Sequence, residues 1–134
     1  MNKLIFIDDC KLDHFILKKI LKKYQLQYDV SCTEDAEEVL SFLSMNSGNK
    51  NELPDVILLD IYMPNLDGWE FLEKIKSLYP RLAKQLKIYI LSSSINPKDI
   101  TRSKNYEFVH SFLFKPITNE VLQRIIDAET SGAA

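Results

Sequence analysis

Pro54-Asp55-Val56-Ile57-Leu58-Leu59-Asp60-Ile61-Tyr62-Met63-Pro64 sets four apolar residues, without alternation, directly before a carboxylate, with a proline shortly after. A short apolar run bounded by turn residues predicts a strand buried on both faces. Such strands belong to parallel sheets covered by helices. Ligands of open parallel sheets bind beyond the carboxyl ends of the strands. Asp60 is therefore expected at a sheet edge where sites occur. On its own it equally reads as the residue that ends the strand or caps a turn.

The neighbouring segments repeat the pattern. Residues 4–7 form a second apolar run, ending at Asp8 and Asp9. Leu12, Phe15, Ile16, Ile20, Leu21 and Tyr24 then recur at helical spacing, with Lys11, Lys18, Lys22 and Lys23 on a solvated face. Residues 28–32 predict a short strand near a sheet edge. Thr33 is expected to open the next helix, with Glu34, Asp35 and Glu37 suited to its dipole, and Val39, Leu40 and Leu43 as its buried stripe. Residues 46–51 are polar and turn-rich, a loop.

After the opening strand, Asp67-Gly68-Trp69-Glu70 has the spacing of a capping box, and Phe71, Leu72, Ile75 and Leu78 carry a helix to Tyr79-Pro80. Residues 86–91 are a further apolar run, followed by Ser92, Ser93 and Ser94. Asn96 and Pro97 start a short polar helix anchored at Ile100. Residues 111–114 read as the fifth strand, ending at Lys115-Pro116. Thr118 caps a last helix with Val121, Leu122, Ile125 and Ile126 as its stripe. Residues 1–129 read as one domain and 130–134 as a short frayed tail, with no output domain after it.

Five strands alternating with five helices predict an α/β fold, a doubly wound parallel sheet with right-handed crossovers. Length and count favour the flavodoxin-like (βα)5 strand order 2-1-3-4-5, with a switch point between strands one and three. That order collects Asp8, Asp9, Asp60, Ser92 and Lys115 at one edge. Three carboxylates in one crevice repel, so a compensating cation is needed. A hard divalent ion such as Mg2+ takes carboxylate oxygens and keeps open positions for a phosphate. Lys115 adds a compact positive charge. With both in place a carboxylate can attack phosphorus and form an aspartyl phosphate.

These residues carry a resemblance over essentially the whole chain. Asp8-Asp9, the run from Asp60 to Pro64 with Asp67-Gly68 after it, Ser92, and Lys115-Pro116 are similar to the motifs of the two-component response-regulator receiver domain. The resemblance implies a stand-alone, CheY-like receiver. Asp60 would accept a phosphoryl group from a phosphohistidine on a sensor histidine kinase or a histidine phosphotransfer protein. Mg2+ would be held by Asp8, Asp9, Asp60 and the backbone carbonyl of Tyr62. Lys115 and Ser92 would bind the phosphoryl group, and the Lys115-Pro116 bond would be cis. Ser92 and Phe112 would act as the switch, altering protein contacts through the fourth helix, fifth strand and fifth helix.

Three features depart from the family pattern. Tyr62 is a large ring two residues past the acceptor. Phe112 lacks the hydroxyl of the common tyrosine. The usual glycine before the fifth strand is absent, where Glu107-Phe108-Val109 stand. The alternative is a receiver-like interaction module that works without phosphorylation. A true phosphohydrolase is disfavoured because Tyr62, not a carboxylate, follows at the general-acid position, so only self-phosphorylation and self-dephosphorylation are expected and no enzyme activity.

The remaining composition sets bounds. The chain has 134 residues, 46% hydrophobic and 27% charged, as expected of one globular domain. A net charge of -2 leaves no broad basic field for nucleic acid, and no run is long enough to span a membrane. Cys10 and Cys32 form no metal or redox motif, and free thiols in a cytoplasmic setting are expected. His14 and His110 read as exposed surface, and Trp69 as a packing residue near the crevice.

Overall fold

The computed structural model describes residues 2–132. Five strands alternate with five helices: β1 (Asn2–Ile7), α1 (Lys11–Lys23), β2 (Tyr28–Thr33), α2 (Ala36–Met45), β3 (Val56–Leu59), α3 (Gly68–Leu78), β4 (Lys87–Ser92), α4 (Pro97–Ser103), β5 (Val109–Phe114) and α5 (Asn119–Gly132). A single 3-10 turn, Tyr79–Arg81, follows α3. All pairings are parallel, in the order β2-β1-β3-β4-β5. The doubly wound topology expected from the strand-helix alternation is the one observed.

The unbroken apolar run of β3 has a direct cause. Val56 and Leu58 point to one side of the sheet, into a core with Leu17, Leu21, Leu113, Leu122 and Ile125. Ile57 and Leu59 point to the other, into a core with Val39, Leu43, Phe71, Leu72 and Ile75. Side chains alternate along a strand, so a central strand between two helical layers must be apolar at every position.

Several local expectations give way to tertiary packing. In α1 the buried residues are Leu17 and Leu21, while Leu12 and Phe15 are exposed. The sheet covers a narrower arc of the helix than its apolar residues span. His14 is half-buried with its ring edge against Phe6, not free surface, whereas His110 is exposed. Thr33 does not open α2: it ends β2, and Asp35 is the cap, accepting from the Glu38 amide at 3.1 Å. Thr33 instead accepts from the Asp35 amide at 3.0 Å and so shapes the turn into the helix.

Asp67 caps α3 as expected, accepting from the Glu70 amide at 2.9 Å, and Asn96 caps α4 through the Lys98 amide. The buried residues of α4 are Asp99 and Ser103 rather than Ile100. β5 begins two residues earlier than its apolar pattern, at Val109, with a register irregularity at Ile88/Tyr89 where the expected glycine is missing. There Phe108 stacks on Tyr79, and its carbonyl accepts from the Ile88 amide, so an aromatic contact shapes the loop. α5 runs through Gly132, and residues 133–134 of the predicted tail lie outside the described residues. Among the described residues no helix is long and apolar enough to cross a membrane.

Candidate functional site

Register builds the site. Ile7 pairs with Leu59, so Asp8 and Asp60 leave adjacent strands side by side. The Asp60 amide donates to the Ile7 carbonyl and the Asp8 amide to the Thr33 carbonyl, both at 2.9 Å. Ser92 ends β4, and its carbonyl accepts from the Lys115 amide at 2.8 Å. Asp8, Asp9, Asp60, Ser92 and Lys115 are thus held at one edge by backbone hydrogen bonds of the sheet and its first flanking residues. The Lys115-Pro116 peptide bond is cis. Phe112 is set back inside β5, opposite Ile90, partly buried and near the Phe114 ring.

Charge compensation centres on Lys115. Its Nζ lies 2.8 Å from Asp8 Oδ2, 2.7 Å from Asp13 Oδ2 and 3.6 Å from Asp60 Oδ2. Burial opposes the ammonium charge, but the close ion pairs with Asp13 and Asp8 and the charge of Asp60 hold its pKa above the usual lysine value. Asp13, also penalised by burial, is drawn below the ordinary carboxylate range by its bond to Lys115. Asp13 was not singled out from the sequence. An acidic residue in a helix's first turn reads as a dipole partner, and only the fold shows that α1 aims it at Lys115.

Asp60 is held more loosely. One oxygen accepts from the Tyr62 amide at 3.4 Å, and the other faces Lys115 at 3.6 Å. Burial, then the Asp8 charge, push its pKa up to about 6, with Lys115 pulling the other way. A buried carboxylate with weakly engaged oxygens is suited to take a cation or an electrophile.

The carboxylates of Asp8, Asp9 and Asp60 offer oxygens that all lie within 4.8 Å of one another. Asp8 and Asp60 are buried and Asp9 is exposed, so the cluster opens to solvent on the Asp9 side. Asp8 Oδ1 accepts from the Cys10 amide at 2.9 Å. Asp8 Oδ2 has the Lys115 ammonium beside it but no hydrogen bond of good geometry. An all-oxygen donor set with a buried, incompletely satisfied oxygen fits a hard divalent cation.

A family model for the response regulator receiver domain matches residues 4–127. The chain belongs to the response regulator receiver family. A two-component response regulator of Oryza sativa, ORR1, is 26% identical over 127 residues, covering 93% of this chain and 54% of that protein. The receiver thus spans about half the length of that curated relative. Among solved structures, a two-component response regulator from Cytophaga hutchinsonii superposes with a TM-score of 0.84 at 20% identity, covering 98% of both chains. It shares the fold. The phosphorylated cyanobacterial phytochrome response regulator RcpA matches with a TM-score of 0.75 at 29% identity, over 99% of this chain and 96% of that one. The Mn(2+)-bound form of response regulator Rcp1 matches with a TM-score of 0.74 at 25% identity, over 97% and 93%.

Proposed function

We propose that this receiver accepts a phosphoryl group on Asp60 from a phosphohistidine of a sensor histidine kinase or histidine phosphotransfer protein. The observation that carries the reading is the position of the Asp60 carboxylate. It lies beside Asp8 and Asp9, 3.6 Å from a half-buried ammonium, with weak bonds to both its oxygens. In the step, an Asp60 oxygen attacks phosphorus, the phosphorus–nitrogen bond breaks, and the imidazole leaves with the electron pair. Lys115 neutralises a phosphoryl oxygen, and the Ser92 hydroxyl donates to another. In phosphoryl transfer a protein contributes mainly such positioning and charge neutralisation.

A Mg2+ ion would be held by Asp8, Asp9, Asp60 and the Tyr62 carbonyl. When bound it would supply positive charge to offset that of the carboxylates and the incoming phosphoryl group. The Mn(2+)-bound Rcp1 structure supports a divalent cation at this kind of site. Beyond taking and losing its own phosphoryl group the receiver turns over no substrate. Phosphorylation would shift the population of Ser92 and Phe112 arrangements and alter protein contacts through α4, β5 and α5, in proportion to how much better one arrangement binds the phosphoryl group. The reading places it in the cytoplasm with its donor, where Cys10 and Cys32 stay unpaired thiols as they are here.

Radiolabelled acetyl phosphate with Mg2+ is expected to label the wild type stoichiometrically and to leave Asp60→Asn unlabelled. Equal labelling of both proteins would remove Asp60 as acceptor.

A further inference from the structure

Three carboxylates share one ammonium at the sheet edge, and they share it unequally. Lys115 Nζ stands 2.7 Å from Asp13 Oδ2 and 2.8 Å from Asp8 Oδ2, but 3.6 Å from Asp60 Oδ2. Asp8 and Asp60 follow paired ends of adjacent strands, so the sheet sets their positions. Asp13 comes from another element, the first turn of α1. It also lies outside the candidate cation cluster of Asp8, Asp9 and Asp60.

A carboxylate at this helix position ordinarily has local work. Cys10 is the N-cap of α1, and an acidic side chain three residues on can reach back to the cap amide. Here Asp8 Oδ1 already accepts from the Cys10 amide at 2.9 Å. The cap is satisfied from the strand end, and Asp13 is released to pair with Lys115. The two side chains are only 15% and 16% exposed, so solvent screens the pair poorly.

The consequence falls on Asp60. A lysine ammonium is a compact charge on a flexible stem, and it rests where the surrounding carboxylates hold it. Were Asp13 neutral, Asp8 and Asp60 would be its remaining ion-pair partners among the described residues. Closing on Asp60 would engage the carboxylate that a hard divalent cation also needs.

We propose that Asp13 is a positioning residue for the acceptor site: it holds the Lys115 ammonium toward α1, off the Asp60 carboxylate, and so keeps Asp60 open to a divalent cation. Asp13 is not a ligand of that cation; it acts through Lys115. The inference rests on the reading of Asp8, Asp9 and Asp60 as a cation site around the acceptor.

The test uses the whole receiver, with Mn2+ as the probe and the electron paramagnetic resonance of the free ion as the measure of binding. Asp13→Asn should bind Mn2+ about tenfold more weakly than the wild type. Part of that loss is simply one negative charge fewer. Lys115→Met has no ammonium to place and isolates that part. In the Lys115→Met background the same Asp13→Asn change should cost about threefold or less, a difference of the size found for coupling within one ion-pair network. Equal losses in the two backgrounds overturn the proposal. Asp13→Glu keeps the charge and should stay within about twofold of the wild type. A loss as large as that of Asp13→Asn overturns the proposal as well. A metal-free crystal structure of Asp13→Asn should show Lys115 Nζ closed to about 2.8 Å from an Asp60 oxygen, the usual length of such a charged bond. An ammonium still at its wild-type distance from Asp60 overturns the proposal without any metal. A wild type that binds no Mn2+ overturns the cation reading too, and the crystal distance then still reports whether Asp13 holds the lysine.

Discussion

Gly68→Ala is expected to destabilise the receiver by about 3 kcal/mol, in the range that backbone overpacking produces. Gly68 is the first residue of α3, and its amide donates to the Ile61 carbonyl at 2.7 Å. That bond pulls the helix start onto the chain leaving β3. A Cβ built there falls 2.6 Å from the Ile61 Cα and 2.8 Å from the Asp60 carbonyl oxygen. Both are backbone atoms, so no side chain can rotate away and the loop itself must move. Two effects compete. Alanine in a helix gains about 1 kcal/mol over glycine from propensity. The contact is far closer than real Cβ atoms tolerate and should win. Urea unfolding followed by the single tryptophan, Trp69, measures the result. A variant as stable as the wild type or more so would show that the loop relaxes freely. Because the displaced atoms belong to Asp60 and Ile61, Mg2+ affinity should fall together with stability. The neighbouring glycine in the chain, Gly48, has open space around it and should accept alanine at little cost.

Gly68 also shows what was legible in the sequence. Asp67-Gly68 could be read as a helix start, because a capping acceptor followed by helical apolar spacing is a local signal. The reason for glycine was not local, since it depends on α3 folding back against the residue after Asp60. The same division runs through the molecule. Strand order followed from alternation and length, and Asp8, Asp9, Asp60, Ser92 and Lys115 were visible because each ends or follows an apolar run. Asp13 and Asp99 were not visible, since each lies within a helix whose polar residues look solvated. Their partners, Lys115 and Tyr62, come from 102 and 37 residues away in the chain. The α1 stripe failed at Leu12 and Phe15 for a related reason. Periodicity identifies an apolar face, but the width of sheet available to cover it is a tertiary quantity. Thr33 and Asp35 are both good caps by type, and the length of β2 decided between them.

Lys115→Met should have the widest consequences, and they separate the two roles of this side chain. The substitution keeps the length of the stem and removes the only ammonium within ion-pair distance of Asp8, Asp13 and Asp60 among the described residues. Removing one partner of a buried ion pair typically costs about 3 to 5 kcal/mol, because the remaining charge is left uncompensated. The deficit should depend on pH. Asp60 already has its pKa raised to about 6 in the presence of the lysine, and without it the value rises further. A carboxylate whose folded pKa exceeds its unfolded one stabilises fully below the unfolded value, and that contribution is lost as pH rises through the folded value. Asp13 has the opposite sign. Its depressed pKa gives the wild type stability above the unfolded value, lost as pH falls through the folded one. Removing Lys115 abolishes that advantage. Both effects make the variant's deficit largest at neutral pH and smaller near pH 4. Urea unfolding at the two pH values measures this, and an equal deficit at both would assign the loss to packing. On the proposed reading, millimolar Mg2+ would bind only the folded carboxylate cluster and should recover more stability in the variant than in the wild type. Phosphoryl uptake from acetyl phosphate should stay slower by about a hundredfold even then, the usual cost of losing one group that stabilises transition-state charge. The metal can take over the lysine's work of holding carboxylates together. It cannot occupy the position from which the ammonium faces the incoming phosphoryl oxygen, so stability returns with Mg2+ and uptake does not.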